Sequence, residues 1–244
     1  MSNLEYKIEE TLAKYKSSYS FELMVGKVTK EQIRKSIEHT LLKPYASPAD
    51  VEKLCREAVE YGFLGVCVNP SLVPVAVSTL RGTDVRVVTV IGFPLGCNTQ
   101  MIKAKEAQEA REAGVSEIDM VVHIGMLKAN EWLYVYEDIR AVVEAARDLA
   151  VKVILETCYL SDEEKIAACV IAKEAGASFV KTSTGFGTKG ATVEDVHLMK
   201  WAVPDLGVKA SGGIKNFSQA TEMIRAGANR IGTSSGVSII SEGV

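Results

Sequence analysis

No pattern of paired cysteines runs through this sequence. Its five cysteines, Cys55, Cys67, Cys97, Cys158 and Cys169, are odd in number, widely spaced and without a CxxC pair. That excludes a disulfide framework or zinc knuckle and fits a reduced compartment, with each cysteine read as a small apolar packing residue. Histidine is as scarce: His39, His123 and His197 show neither HxH nor HExxH spacing, so no metal is expected. Positive charge is not in excess, 28 Lys and Arg standing against 31 Asp and Glu, so no global field exists to hold a nucleic-acid backbone. No window approaches the roughly 18 apolar residues of a membrane span, and Met1 leads into a polar stretch without an apolar leader core. No membrane partner is expected, and the protein is expected in the cytoplasm.

What is present is an alternation. Short β-branched runs are separated by longer helix-patterned segments from Val51 onward, the signature of a parallel sheet. The expected strands are Thr40–Leu42, Gly65–Val68, Val85–Val90, Glu117–Val121, Lys152–Leu155, Ser178–Lys181, Gly207–Ala210 and Arg230–Gly232. Eight βα units in 244 residues, with no Gly-rich dinucleotide fingerprint after the first strand, favour an α/β fold of the (β/α)8 TIM-barrel class over an open sheet. One domain over residues 1–244 follows, with residues 1–30 as a helical extension. There Leu4, Ile8, Leu12 and Tyr15 recur at helical spacing, predicting one or two helices that cover a barrel end or a subunit contact.

Helix ends are also legible. Gly62, Gly114, Gly176 and Gly227 each precede a strand where a left-handed helix terminus is wanted, while Ser47 and Ser161 are N-caps with an acid three residues on. Trp132, Tyr134 and Tyr136, followed by Ile139 and Val143, read as helix packing rather than as a stacking platform for bases.

Polar residues at the C-terminal ends of barrel strands carry a functional weighting. Asp119 lies inside the apolar run Glu117–Val122, Lys181 ends Ala177–Lys181, and Lys209 lies in Val208–Gly213. A charge pointing into a barrel is costly unless paired or neutralised, so these are either a structural ion pair or a reactive centre. Two lysines in one pocket disfavour each other's protonation, and a neutral amine forms imines with carbonyls while a carboxylate moves the protons. Glycine and hydroxyl clusters follow the last three strands: Thr182–Gly187, Ser211–Gly213 and Gly232–Gly236. Loops of this kind let backbone N–H groups approach an anion, and barrel phosphate sites are frequently built there with a short helix N-terminus. A small phosphorylated carbonyl substrate is the expectation. An acid–base isomerase and a transaldolase-like enzyme remain open on these residues, as does a phosphosugar sensor without turnover.

With those residues in view, the chain resembles the deoxyribose-phosphate aldolases, a class I aldolase family, from Ile37 to Val237. The matching segments are Glu38–Pro44, Val66–Pro70, Val90–Gly96, Glu117–Val121, Phe179–Gly185 and Val208–Ile214. The resemblance implies that Lys181 forms a Schiff base with acetaldehyde, that Lys209 lowers its pKa, and that Asp119 relays protons through an ordered water. The enamine would add to glyceraldehyde 3-phosphate to give 2-deoxyribose 5-phosphate, reversibly and with no cofactor. It further implies phosphate contacts from Thr184, Gly185, Gly212, Gly213, Ser234 and Ser235, with Thr40 near the sugar hydroxyls, and a homo-oligomer, dimer or tetramer. Two features depart from the family pattern. Position 38 is Glu where Asp is usual, so one extra methylene shifts a substrate-hydroxyl contact or is absorbed by the loop. The sequence also ends at Ser241-Glu242-Gly243-Val244, without the tyrosine tail that some members use in proton transfer.

Overall fold

The β-branched runs form strands buried on both faces, as parallel strands covered by helices must be. The computed structural model describes residues 2–242, and the tail expectation concerns positions that include Gly243 and Val244, outside the described residues. The chain opens with α1 (Asn3–Ser18) and α2 (Lys30–Arg34) and then alternates: β1 (Ile37–Leu41), α3 (Pro48–Tyr61), β2 (Gly65–Val68), α4 (Val73–Thr79), β3 (Arg86–Ile91), α5 (Gln100–Glu112), β4 (Glu117–Val121). It continues through α6 (Ile124–Lys128), α7 (Trp132–Ala146), β5 (Ala150–Ile154), α8 (Asp162–Glu174), β6 (Phe179–Lys181), α9 (Val193–Ala202), β7 (Gly207–Ser211), α10 (Phe217–Arg225), β8 (Arg230–Thr233) and α11 (Gly236–Glu242). Every neighbouring pair is parallel, and β8 pairs back onto β1 with Glu38 beside Gly232, closing an eight-stranded barrel.

Two strands, β2 and β4, run as the sequence predicts, and most others differ at an end by a residue or two. The exception is β1, which begins at Ile37 rather than Thr40. Glu38 and His39 look like loop residues, yet each has a buried partner: Glu38 accepts from Lys209 inside the barrel, and His39 meets Glu57 of α3 at 2.8 Å on the outside. The helix ends match expectation. Gly62, Gly114, Gly176 and Gly227 all have positive φ, and Ser47 and Ser161 each form a capping box.

The large apolar core lies between strands and helices. A second, small apolar cluster of Leu42, Cys67, Val88 and Val90, with Phe93 against it, occupies the β2–β3 side. The opposite side of the barrel interior is ionic. Outside the barrel, Lys103 of α5 and Asp138 of α7 form a fully buried pair at 2.6 Å, with Lys103 also donating to the Val121 carbonyl.

Of the two roles expected for the N-terminal helices, covering a barrel end does not hold for α1. Rather than covering a barrel end, α1 lies along the flank of α8: Ile8 is buried, Lys7 pairs with Glu174 at 2.6 Å, and the Tyr15 hydroxyl donates to Asp162 at 2.9 Å. From Tyr19 an extended strap runs to α10, where the Met24 N–H donates to the Arg225 carbonyl and the Arg225 guanidinium to the Gly26 carbonyl. The packing reading of the cysteines also needs correction at one site. Cys55, Cys67 and Cys169 are buried, but Cys97 sits exposed in the loop after β3. Burial pushes the thiols of Cys55 and Cys67 up to about 11, which keeps them protonated.

Candidate active site

Strand register assembles the charges. Lys181 and Lys209 are direct neighbours across β6 and β7, and Asp119 and Lys152 are neighbours across β4 and β5. All four point into the barrel and meet at one carboxylate. Asp119 Oδ2 accepts from Lys181 at 2.8 Å and from Lys209 at 2.6 Å, while Oδ1 accepts from Lys152 at 2.9 Å. Glu38 accepts from Lys209 and lies 3.5 Å from Lys152. Glu117 lies 2.6 Å from Lys152 and is also paired with Arg86. Glycine at 232 makes room for this, because a Cβ there would sit 2.9 Å from Lys209 Cε.

Three lysines thus share the interior, but their environments differ. Burial dominates at Lys181 and drives its pKa below the ordinary lysine value; Asp119 opposes the shift and the Lys209 ammonium adds to it. Burial acts on Lys209 in the same sense but is outweighed by Asp119 and Glu38, so its pKa is raised. Lys152 is likewise raised, with Asp119, Glu38 and Glu117 outweighing burial. Burial disfavours the Asp119 charge, yet the three ammonium groups hold its pKa well below the usual carboxylate range. The expectation that the lysines depress one another symmetrically is therefore corrected. Glu38 breaks the symmetry, and desolvation contributes more than the neighbouring cation. Only Lys181 is moved toward a neutral amine.

Lys181 is also the only one of the three to reach the open cavity, about 370 Å3 at the C-terminal end of the strands. Thr40, Thr184, Gly185, Gly212, Gly213, Ser234 and Ser235 line that same cavity, so the hydroxyl and glycine clusters converge as the sequence suggested. Asp119 and Lys209 do not line it; they lie beneath Lys181 as its inner support. Glu38 sits in that support too, so its extra methylene is taken up by an ion pair with Lys209. The loops are stitched together: Thr182 Oγ1 donates to the Ser211 carbonyl and accepts from the Ser211 N–H, and Ser211 Oγ donates to the Ser183 carbonyl at 2.6 Å.

Sequence reasoning missed Lys152, singled out Glu38 without its buried pairing to Lys209, and missed two cations on the cavity lining, Lys43 and Lys215. Lys215 follows Gly212-Gly213-Ile214 directly, and a cation beside a glycine pair was the available signal. None of the three histidines lines the cavity, and no cluster of three metal-ligating side chains occurs among the described residues.

The pattern of the DeoC/LacD family aldolases matches residues 34–242. The chain belongs to the DeoC/LacD family of aldolases. A deoxyribose-phosphate aldolase of Thermotoga sp. (strain RQ2) is 62% identical over 241 residues, which covers 98% of this chain and 97% of the relative. Among solved structures, one from Coccidioides immitis, provisionally assigned as a deoxyribose-phosphate aldolase, superposes with a TM-score of 0.94 at 42% identity, covering 99% of this chain and 98% of the other. A tetrameric deoxyribose phosphate aldolase from Aeropyrum pernix gives 0.82 at 33% identity, covering 99% and 97%. The family match begins inside α2, so α1 lies outside it, and it takes in every strand and every charged group of the barrel interior.

Proposed function

We propose that this family member condenses acetaldehyde with glyceraldehyde 3-phosphate to give 2-deoxy-D-ribose 5-phosphate, reversibly, through a Schiff base on Lys181, and that residues 1–244 act as one catalytic domain. The observation that carries the reading is the asymmetry among the lysines. Lys181 alone is both displaced toward the neutral amine and open to the cavity. A neutral amine attacks the acetaldehyde carbonyl to form a carbinolamine, and loss of water gives the imine.

Both steps move protons, and Asp119 Oδ2 stands between Lys181 and Lys209 to carry them, with Lys209 as the ammonium donor. Loss of a proton from the acetaldehyde methyl gives the enamine, which attacks the aldehyde carbon of glyceraldehyde 3-phosphate. Hydrolysis then frees Lys181. The phosphate is held by Gly185, Gly212, Gly213, Ser234 and Ser235, with Thr184 shaping the same end of the cavity and Thr40 near the sugar hydroxyls. The lengthwise similarity to a tetrameric relative supports a homo-oligomer.

Incubation with acetaldehyde and sodium borohydride, followed by peptide mass spectrometry, tests the imine. An ethyl adduct confined to Lys181, absent from Lys181→Ala together with turnover, is the expected result. Full activity in Lys181→Ala overturns the mechanism.

A further inference from the structure

The phosphate side of the cavity is held in shape by a residue that does not line it. Glu156 lies two residues past the end of β5 and is 2% exposed. It is one of three non-glycine residues with positive φ among the described residues, at φ 55 and ψ 62. The other two are exposed: Asn130 adjoins the end of α6, an ordinary place for a positive φ, and Arg147, at φ 56 and ψ −114, ends α7 outside the left-handed helical region. A glutamate held left-handed inside a protein is strained, and strain of this kind persists where the surroundings enforce it.

The conformation has a visible result. Leu155 and Thr157, on either side, keep their N–H bonds to the carbonyls of Lys181 and Thr182 at 2.9 and 3.0 Å. Between them the Glu156 side chain turns across to the loop after β6. Both carboxylate oxygens accept from the Thr184 N–H at 3.3 Å, and Oε2 also accepts from the Thr184 hydroxyl. Thr184 Oγ1 in turn accepts from the Phe186 N–H at 3.0 Å. Gly187 packs on the carboxylate, since a Cβ there would come within 3.0 Å of Glu156 Oε1. Glu156 takes part in none of the ion pairs of the barrel interior. Its charge is met by the donors of this loop.

The Thr184 and Phe186 amides are thereby consumed on the Glu156 side. Gly185 lies between them at φ 87, with open space where a Cβ would be, and lines the cavity. We propose that Glu156 is a positioning residue for the phosphate subsite, holding the Thr184–Gly187 loop so that Gly185 faces the bound anion. The inference rests on the aldolase reading given above and names the residue that fixes its specificity for phosphorylated over unphosphorylated substrate. A carboxylate so near an anion site is otherwise unfavourable. If its charge alone mattered, removing it would improve phosphate binding, the opposite of the effect expected from positioning.

The test compares wild type, Glu156→Gly and Glu156→Gln. Glycine accepts the left-handed backbone without strain and deletes the carboxylate; glutamine keeps one acceptor oxygen for the two Thr184 donors. Each protein is assayed for kcat and KM on 2-deoxyribose 5-phosphate and on 2-deoxyribose, and for borohydride trapping with acetaldehyde, which carries no phosphate. In Glu156→Gly the preference for the phosphorylated sugar should fall by about tenfold or more, the scale of a lost hydrogen bond to a charged group. That loss should appear in KM, with Lys181 trapping at the wild-type rate, and Glu156→Gln should lose less. Unchanged preference in Glu156→Gly, or a loss of trapping in proportion, overturns the proposal. If that variant fails to fold, unchanged preference in Glu156→Gln overturns it. Failure of the wild type to trap acetaldehyde would instead count against the aldolase reading.

Discussion

Lys181 and Lys209 are the same residue type, one strand apart and both buried, yet their pKa values move in opposite directions. The difference is the number of carboxylates each can reach: Lys209 has Asp119 and Glu38, Lys181 has Asp119 alone. Borohydride trapping should therefore rise with pH, with a midpoint below the ordinary lysine value of about 10.4. In Lys209→Leu the repulsion on Lys181 is lost and Asp119 serves fewer cations, so the midpoint should move up. At pH 7 each pH unit of that move costs about tenfold in trapping rate. The stability sign is opposite. Because the folded pKa of Lys209 is raised, its contribution is fully present below the ordinary lysine pKa and is lost as pH rises through the folded one. Lys209→Leu should therefore lose up to about 3–5 kcal/mol at neutral pH, the cost of removing one partner from a buried ion network and leaving Glu38 only its longer contacts to Lys152 and Arg230, read by denaturant unfolding. A trapping midpoint unmoved in Lys209→Leu would remove Lys209 from the mechanism.

Why some of these residues could be read from the sequence and others not follows from their strands. Asp119, Lys181 and Lys209 interrupt apolar runs and stand out. Lys152 begins its run and reads as a strand edge, although β5 extends back to Ala150. Glu38 stands before His39 and Thr40 and reads as a loop, although it is the second residue of β1 and has an ammonium partner in Lys209. Charges at the start of a strand hide it, so β1 and β5 were expected to begin late, at Thr40 and Lys152, whereas β4, whose Asp119 is set inside an apolar run, was predicted as it is. The apolar half, β2 and β3, was predicted nearly as it is. Packing between strands adds a constraint that composition does not show. Gly232→Ala on β8 should press on Lys209 Cε, 2.9 Å from the new Cβ, and overpacking of this kind costs about 1–3 kcal/mol. Turnover should fall with it, because the displaced ammonium leaves Asp119. Wild-type kcat in a folded Gly232→Ala protein would show that the fit of Lys209 is not needed.

For the molecule as a whole, the barrel and α1 are separable in expectation. The family match begins at residue 34, and α1 touches the barrel from outside through Ile8, Lys7 and Tyr15. Deleting residues 2–18 should leave borohydride trapping at Lys181 intact. Tm should fall by about 5–10 °C, the loss of one buried isoleucine and its neighbours in a domain of this size. Loss of trapping in the folded truncation would show that α1 supports the site.

The same N-terminal segment sets an order of events. Lys7 waits for Glu174, Tyr15 for Asp162 and Gly26 for Arg225, partners 167, 147 and 199 residues further along the chain. On a ribosome the first 34 residues emerge long before anything they will hold exists, and β1 must wait as long for β8. This segment is thus made before the elements that hold it and set in place after them, and β8 must be made before the ring can close and be clasped.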